Sequence, residues 1–290
     1  MIKSLYSGVS GLRCNQTKLD VLSNNIANVS TSGFKAGRVT FQDLFSQTIS
    51  GAQAATDDIG GIKAQQVGLG VSIGSIDTIM SNGSIQPTNR DLDFAVSGKG
   101  FFVLSPDDEG ERFTYTRDGA FYTDNEGNLV NSEGMHVLGF SDGDPTDDAD
   151  DIDTEGDLND LELLNIPDQL DDDERLEKLS VDSTGLITAV YGGETYYIGR
   201  IALASFSNAE GLEKAGANAY KKTANSGEAL VGTAGTSGFG VIQQSALESS
   251  NVDLASEMTE MIITSRAYQA NVNSIKTSDE ILQELVNVSR

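Results

Sequence analysis

The stretch 251–288, NVDLASEMTEMIITSRAYQANVNSIKTSDEILQELVNV, decides how this chain is read. Within it Leu254, Met258, Met261, Ser265, Tyr268, Val272, Ile275, Asp279, Leu282 and Val286 alternate at spacings of four and three. Eight of these ten positions are apolar or aromatic, which is the pattern of a heptad seam. No Pro or Gly interrupts it, and Ser249, Ser250 and Asn251 offer side-chain caps at its start. At 1.5 Å per residue the helix runs roughly 55–60 Å. A helix so long and so narrowly striped calls for a partner helix.

The other end of the chain supplies one. Ile2, Leu5, Val9, Leu12, Gln16, Leu19, Ser23 and Ile26 repeat the alternation, with six of eight positions apolar. Gly8 and Gly11 weaken its first turns by about 1 kcal/mol each relative to Ala. The two ends are complementary in charge. Residues 1–40 carry five bases against Asp20, net +4, and residues 245–290 carry three bases against seven acids, net −4. Opposite charge steers pairing and fixes partners. The reading is a terminal coiled coil, within a chain or between chains, marginal in isolation and ordered on assembly.

Between the ends the pattern changes. Residues 41–80 read as an extended connector, in which Phe41, Leu44, Phe45 and Ile49 have the spacing of a short helix. Gly68, Gly70 and Gly74 lack the Lys-Ser/Thr of a phosphate loop and the spacing of a dinucleotide turn, so they read as glycines between strands. From about 76 to 140 short apolar runs such as Phe101–Leu104 alternate with turns. A matching series, Leu186–Tyr191 and Ile201–Phe206, follows after an acidic interval. The chain therefore reads as an α+β fold. Residues 1–40 with 245–290 form a helical coiled-coil domain, 41–80 a connector, 81–141 with 176–244 a β-rich domain of two chain segments, and 142–175 an acidic insertion.

Charge and residue counts exclude several functions. Net charge is −25 over 290 residues, which leaves no basic footprint for nucleic acid. No run of eighteen apolar residues suggests a membrane span, and the N-terminus has no apolar core of a secretory signal. With one His (His136) and one Cys (Cys14), there is no internal disulfide, no zinc set and no Ser–His–Asp site with a nucleophile elbow. Cys14 falls off the seam and reads as a helix-surface residue. No cofactor and no enzyme activity are expected. Sixteen acids and no bases lie in 142–174. Asp151, Asp153, Glu155, Asp157 and Glu162 fall at positions 1, 3, 5, 7 and 12 of an EF-hand-like loop, with Gly156 at position 6. Glu155 stands where Asp or Asn is expected and no amphipathic helix precedes the loop, so a solvated acidic loop is the stronger reading.

One further string is long and specific. Asn24, Asn25, Ala27, Asn28, Thr31, Gly33 and Phe34 after the first helix, with Ser249–Leu254, Arg266–Asn271 and Ser278–Leu285 at the other end, resemble the axial proteins of the bacterial flagellum, the rod and hook subunits. Gly98–Leu104, Tyr115–Phe121, Gly199–Phe206 and Asn208–Leu212 agree. The resemblance covers nearly the whole chain except about 142–174. Met1–Leu12, Gln66–Val71 and Arg90–Asp93 are more similar to the hook. The short acidic stretch, standing where many hook proteins carry a large outer domain, is more similar to the smaller distal rod subunit. The resemblance implies a hook subunit, with the distal rod as the alternative, polymerising into a hollow tube that transmits torque. It implies copies of itself, rod, hook-cap and hook–filament junction proteins and the flagellar type III export apparatus as partners. It also implies an extracellular place in the hook and basal body, reached without a cleaved signal. A secreted acidic adhesion module with a coiled-coil stalk is the reading from another class. The residues expected at subunit contacts are Leu5, Val9, Leu12, Leu19, Asn24, Asn25, Ile26, Asn28, Leu254, Met258, Met261, Tyr268, Val272, Ile275, Leu282 and Val286.

Overall fold

The computed structural model describes residues 2–54, 60–61, 63–106, 112–141, 146, 156, 158–170 and 174–288. It divides into two compact units. The first comprises 1–27, 36–79 and 252–290; the second comprises 28–35 and 80–251.

In the first unit the two long helices are α1 (Ile2–Ala27) and α2 (Leu254–Val288). They pack antiparallel, with Gly8 facing Ile275, Gly11 facing Asn271 and Lys18 paired to Glu260. Ile275, which faces Gly8, is a position of the expected seam, and Asn271, which faces Gly11, lies off it. A Cβ on Gly8 would lie 2.9 Å from Ile275 Cγ1, and one on Gly11 would lie 2.8 Å from Asn271 Nδ2. These glycines, expected only to weaken α1, let the two backbones approach closely. The contact line therefore includes small and polar residues beside Ile275, with Thr264 buried, while Leu254, Met258 and Val286 stay exposed. The start of α2 also differs. Asp253 is its cap, accepting from Ala255 N–H at 3.1 Å, whereas Asn251 turns its amide to Ser81.

The connector is strand, not helix. β1 (Gly37–Asp43) pairs antiparallel with β4 (Val71–Thr78), and β2 (Ser46–Ser50) with β3 (Gln65–Gly68). Val39 opposes Ile76 and Phe41 opposes Ile73 across the ladder. The β-branched and aromatic content suits cross-strand pairing better than one helical turn. A two-stranded ribbon is marginal alone, and here α1 supports it. Ser10 Oγ accepts from Val71 N–H at 3.3 Å, and Cys14 Sγ donates to Val71 O at 3.6 Å. Cys14 is thus buried, not on the helix surface.

The second unit is β-rich. Its largest sheet is antiparallel and centred on the thirteen-residue strand Glu194–Phe206, which pairs with Leu186–Tyr191, His136–Phe140, Phe101–Ser105 and Ala229–Thr233. Phe102, Leu104, Ile201 and Leu203 enter one core cluster. Their neighbours Phe101, Val103, Ala202 and Ala204 enter another. The sheet is therefore covered on both faces, and its central strands read as continuous apolar runs. The second half of the acidic interval joins this core. Leu161, Leu164 and Ile166 are buried, and Glu162–Leu163 pairs with His136–Phe140. Apolar side chains spaced two and three apart carry an acidic sequence into the sheet because its carboxylates face outward between them.

Burial pushes Tyr115, Tyr191 and Tyr220 up to about 12. Ordinary tyrosines ionise near pH 10, so between about pH 10 and 12 the unfolded chain loses protons that the native chain keeps. Stability should fall across that window. Tyrosinate absorbance should show three of the eight tyrosines ionising only as the sheet unfolds.

Candidate assembly interface and its anchoring cluster

The loop 28–35 leaves α1 and belongs to the β-rich unit. Gly33 makes this possible. Its φ is +65°, and a Cβ there would lie 2.7 Å from Asp118 N, so both backbone conformation and space require glycine. Gly33 N–H donates to Glu248 O at 2.8 Å. Ser32 Oγ donates to Asp118 Oδ1 at 2.8 Å, and Asn218 Nδ2 to Ser32 O at 3.2 Å. Lys214 donates to Lys35 O at 3.1 Å and sits over the Phe34 ring.

These bonds deliver Lys35 to a closed ion cluster. Lys35 Nζ donates to Glu248 Oε1 at 2.6 Å, and Arg117 Nη1 to Glu248 Oε2 at 3.2 Å. The side chains of Lys35, Glu248 and Arg117 are 1%, 1% and 4% exposed. Gly83 N–H completes the carboxylate at 2.8 Å. Lys35 also donates to Ser81 O, and Arg117 to Val96 O and Gly98 O. Burial pulls the Lys35 ammonium and the Arg117 guanidinium below their ordinary ranges, and Glu248 opposes both shifts. Two cations on one buried, fully hydrogen-bonded anion make a structural brace.

The chain passes between its two units four times. On the β-rich side, three of these passages are rooted in this cluster. Lys35 ends one, Ser81 and Gly83 begin the next, and Glu248 to Asn251 lead into the last. Asn251 N–H donates to Phe34 O and Ser249 N–H to Ser84 O, so the roots are bonded to one another.

The exposed apolar surface lies elsewhere. Of nineteen large hydrophobic residues exposed among those described, sixteen belong to the first unit. They include Tyr6 and Val9 on α1, Phe41, Phe45 and Ile49 on the ribbon, and Ile262, Ile263 and Ile281 on α2. Phe45 is 90% exposed. Of the residues expected at contacts, Val9, Leu254, Met258 and Val286 are exposed. Leu5, Leu12, Leu19, Ile26, Met261, Tyr268, Val272, Ile275 and Leu282 are half-buried. Asn24 is exposed and Asn28 half-buried. Asn25 is buried and turned inward. Its amide donates to Gly37 O and Glu257 Oε2, and its Oδ1 accepts from Gly37 N–H. Sequence reasoning missed the ribbon residues, whose spacing suggested a helix, and Ile262 and Ile263, which fall off the heptad.

Asp151, Asp153, Glu155 and Asp157 of the acidic loop lie outside the described residues, and Glu162 is in a strand. Among the described residues no cluster of His, Cys, Asp and Glu could hold a metal, and no helix is long and apolar enough to cross a membrane.

Three family models match the chain. They are described as flagella basal body rod protein over 5–35, flagellar hook protein FlgE/F/G D1 domain over 95–189, and flagellar basal body rod FlgEFG protein C-terminal over 243–288. The flagellar basal-body rod protein FlgG of Bacillus subtilis (strain 168) is 44% identical over 292 residues, covering the whole of both chains. The chain belongs to the flagellar hook and basal-body rod protein family. In Borreliella burgdorferi, the rod protein FlgG is 33% identical over 295 residues, covering all of both chains. The hook protein FlgE of that organism is 32% identical over 443 aligned residues, covering 99% of this chain and 100% of the relative. This hook/rod protein is a structural subunit of the flagellum. The 28–35 loop and the C-terminal helix described above fall in or beside the two terminal matches.

Removing the shared anion tests the brace. Glu248→Gln leaves two buried cations uncompensated and should destabilise the chain by about 3–5 kcal/mol. Lys18→Ala, which removes the partly exposed pair with Glu260, should cost about 1 kcal/mol or less. Denaturant midpoints of the two variants, measured side by side, check the contrast.

Proposed function

We propose that this chain is a rod subunit of the flagellar basal body that polymerises head to tail into a hollow helical tube. The observation that carries polymerisation is the concentration of exposed apolar side chains on the unit built from both termini. So many large apolar side chains exposed on one unit support the reading of a surface that other protein covers. Copies related by a rotation that does not close extend as a helix. In this reading α1 and α2 of neighbouring copies form a coiled-coil layer around a channel, and the β-rich unit forms an outer layer. The contact set keeps the exposed and half-buried residues expected from the sequence and omits Asn25, whose amide is used within the chain.

Length favours the rod over the hook. The rod relatives align over 292 and 295 residues, close to this chain's 290, whereas the hook relative needs 443. The hook remains the second reading, favoured by 32% identity across nearly the whole chain. Either assignment brings copies of itself, neighbouring rod, hook-cap and junction proteins and the flagellar export apparatus as partners, with passage out of the cell as an incompletely folded chain.

Purified protein, concentrated across a range of salt and viewed by electron microscopy, should form straight tubes; curved tubes would favour the hook. Salt should promote assembly, because the Debye length falls from about 10 Å at 0.1 M to about 3 Å at 1 M and each copy carries −25. Ile281→Asp with Val286→Asp should raise the concentration needed for tubes more than tenfold. Circular dichroism should stay unchanged, because both side chains are exposed. Tubes formed normally by that variant would count against the helical layer.

A further inference from the structure

The chain contains one Asn-Gly pair, Asn82–Gly83. Asn-Gly is the dipeptide in which an asparagine amide is lost most readily in water. The following backbone nitrogen, here that of Gly83, attacks Asn82 Cγ, and its proton leaves with Nδ2 as ammonia. The new N–Cγ bond closes a five-membered succinimide. Water then opens the ring at either carbonyl, giving Asp or isoaspartate. Glycine favours closure because no Cβ hinders the nitrogen and its backbone turns freely. The reaction needs only water, an exposed side chain and a mobile following amide.

The structure supplies the exposed side chain and withholds the mobile amide. Asn82 is exposed, but the backbone on both sides of it is held by the brace. Gly83 N–H donates to Glu248 Oε1 at 2.8 Å. Ser81 O accepts from Lys35 Nζ at 2.8 Å and from Asn251 Nδ2 at 3.3 Å, and Asn251 Nδ2 also reaches Ser81 Oγ at 3.0 Å. Ser84 O accepts from Ser249 N–H at 2.8 Å. A Cβ on Gly83 would overlap Ser249 O, so a glycine that turns freely in an open chain is packed against backbone here. Glu248, already shared by Lys35 and Arg117, is too weak a base to strip a peptide nitrogen. Its hydrogen bond keeps the proton on Gly83 N.

We propose that Asn82 is a deamidation site that the Lys35–Glu248–Arg117 brace keeps closed in the folded chain and that stands open whenever the chain is unfolded. While the brace is intact, Asn82 is preserved although it faces water. Once isoaspartate has formed in an unfolded chain, the main chain between Ser81 and Gly83 is one carbon longer. Gly83 has no room to shift against Ser249, so its N–H no longer meets Glu248, and the buried carboxylate loses a partner it needs. The time a chain spends unfolded thus decides whether its β-rich unit can still close. This inference does not rest on the polymer reading.

Peptide mapping by mass spectrometry tests it. The full chain is aged at mildly alkaline pH, folded in buffer and unfolded in guanidinium chloride, side by side. Asn82 should be lost about a hundredfold faster in the unfolded chain, because opening the folded one breaks hydrogen bonds to charged groups on both sides of the pair. Equal rates would overturn the proposal. Glu248→Gln loosens the Gly83 amide, and Asn251→Ala loosens Ser81 while leaving the ion cluster whole. Aged under folding conditions, with circular dichroism confirming the fold, each should lose Asn82 at least about threefold faster than the unaltered chain. Where Glu248→Gln does not fold, Asn251→Ala decides. An unchanged rate in the folded variants would overturn the guarding role of the brace. Slower loss in Glu248→Gln would make Glu248 a base that drives the reaction, which also overturns it. Unaltered chains aged in guanidinium chloride and then diluted to refold should carry isoaspartate at position 82 only in the fraction that fails to fold. Equal levels in the folded fraction would overturn the effect on folding.

Discussion

One carboxylate, held between two cations away from water, governs how this chain can be arranged. Glu248 is tolerable in the interior only because Lys35, Arg117 and the Gly83 amide all reach it. Charges removed from water are costly unless geometry and hydrogen bonding are nearly complete. Each partner comes from a different part of the chain, so satisfying the carboxylate fixes the path of all of them at once. The loop 28–35, which continues directly from α1, is held on the β-rich unit by this requirement. The brace is therefore a statement about connectivity as much as about stability: the β-rich unit is completed by eight residues from the N-terminal arm.

The two units divide their labour by how they treat apolar surface. The β-rich unit covers both faces of its main sheet and leaves three large hydrophobic residues exposed among those described. The unit made from the termini leaves half of its large apolar side chains, among those described, exposed and closes its helix pair with Gly8 against Ile275 and Gly11 against Asn271. Close backbone approach at Gly8 and Gly11 uses little of the large apolar surface of α2, which stays available on the outside. A subunit built this way has a finished half and a half whose burial is completed by copies of itself.

Much of this was legible in the sequence, and the gaps have physical causes. The terminal helices follow from their apolar periodicity, and the strands from runs such as Phe101–Leu104. The Asn-rich string after α1 holds Gly33, a residue suited to a tight turn, but local pattern cannot say where a turn delivers the chain. Lys35 and Glu248 are 213 residues apart, and a pair that distant leaves no periodic trace. The heptad register marked Leu254, Met258 and Val286 as seam positions, within a chain or between chains. Gly8 and Gly11, judged by helix propensity alone, hid the closer contact that leaves those residues outside. The residues Phe41, Leu44, Phe45 and Ile49 mimic a helical stripe, and only their partners on the returning strand resolve the ambiguity. In the acidic interval the density of Asp and Glu outweighed Leu161, Leu164 and Ile166, which are few but sufficient to enter the core.

The rooting of three chain passages in one cluster has a mechanical meaning. Tension arriving along the segment after Lys35, the segment before Ser81 or the segment after Asn251 is delivered to the same few bonds around Glu248. Attachments loaded side by side share force and yield together, whereas attachments loaded one after another peel. Within the β-rich unit three straps thus meet at one bolt, the ion cluster around Glu248, and a pull on any of them loads it.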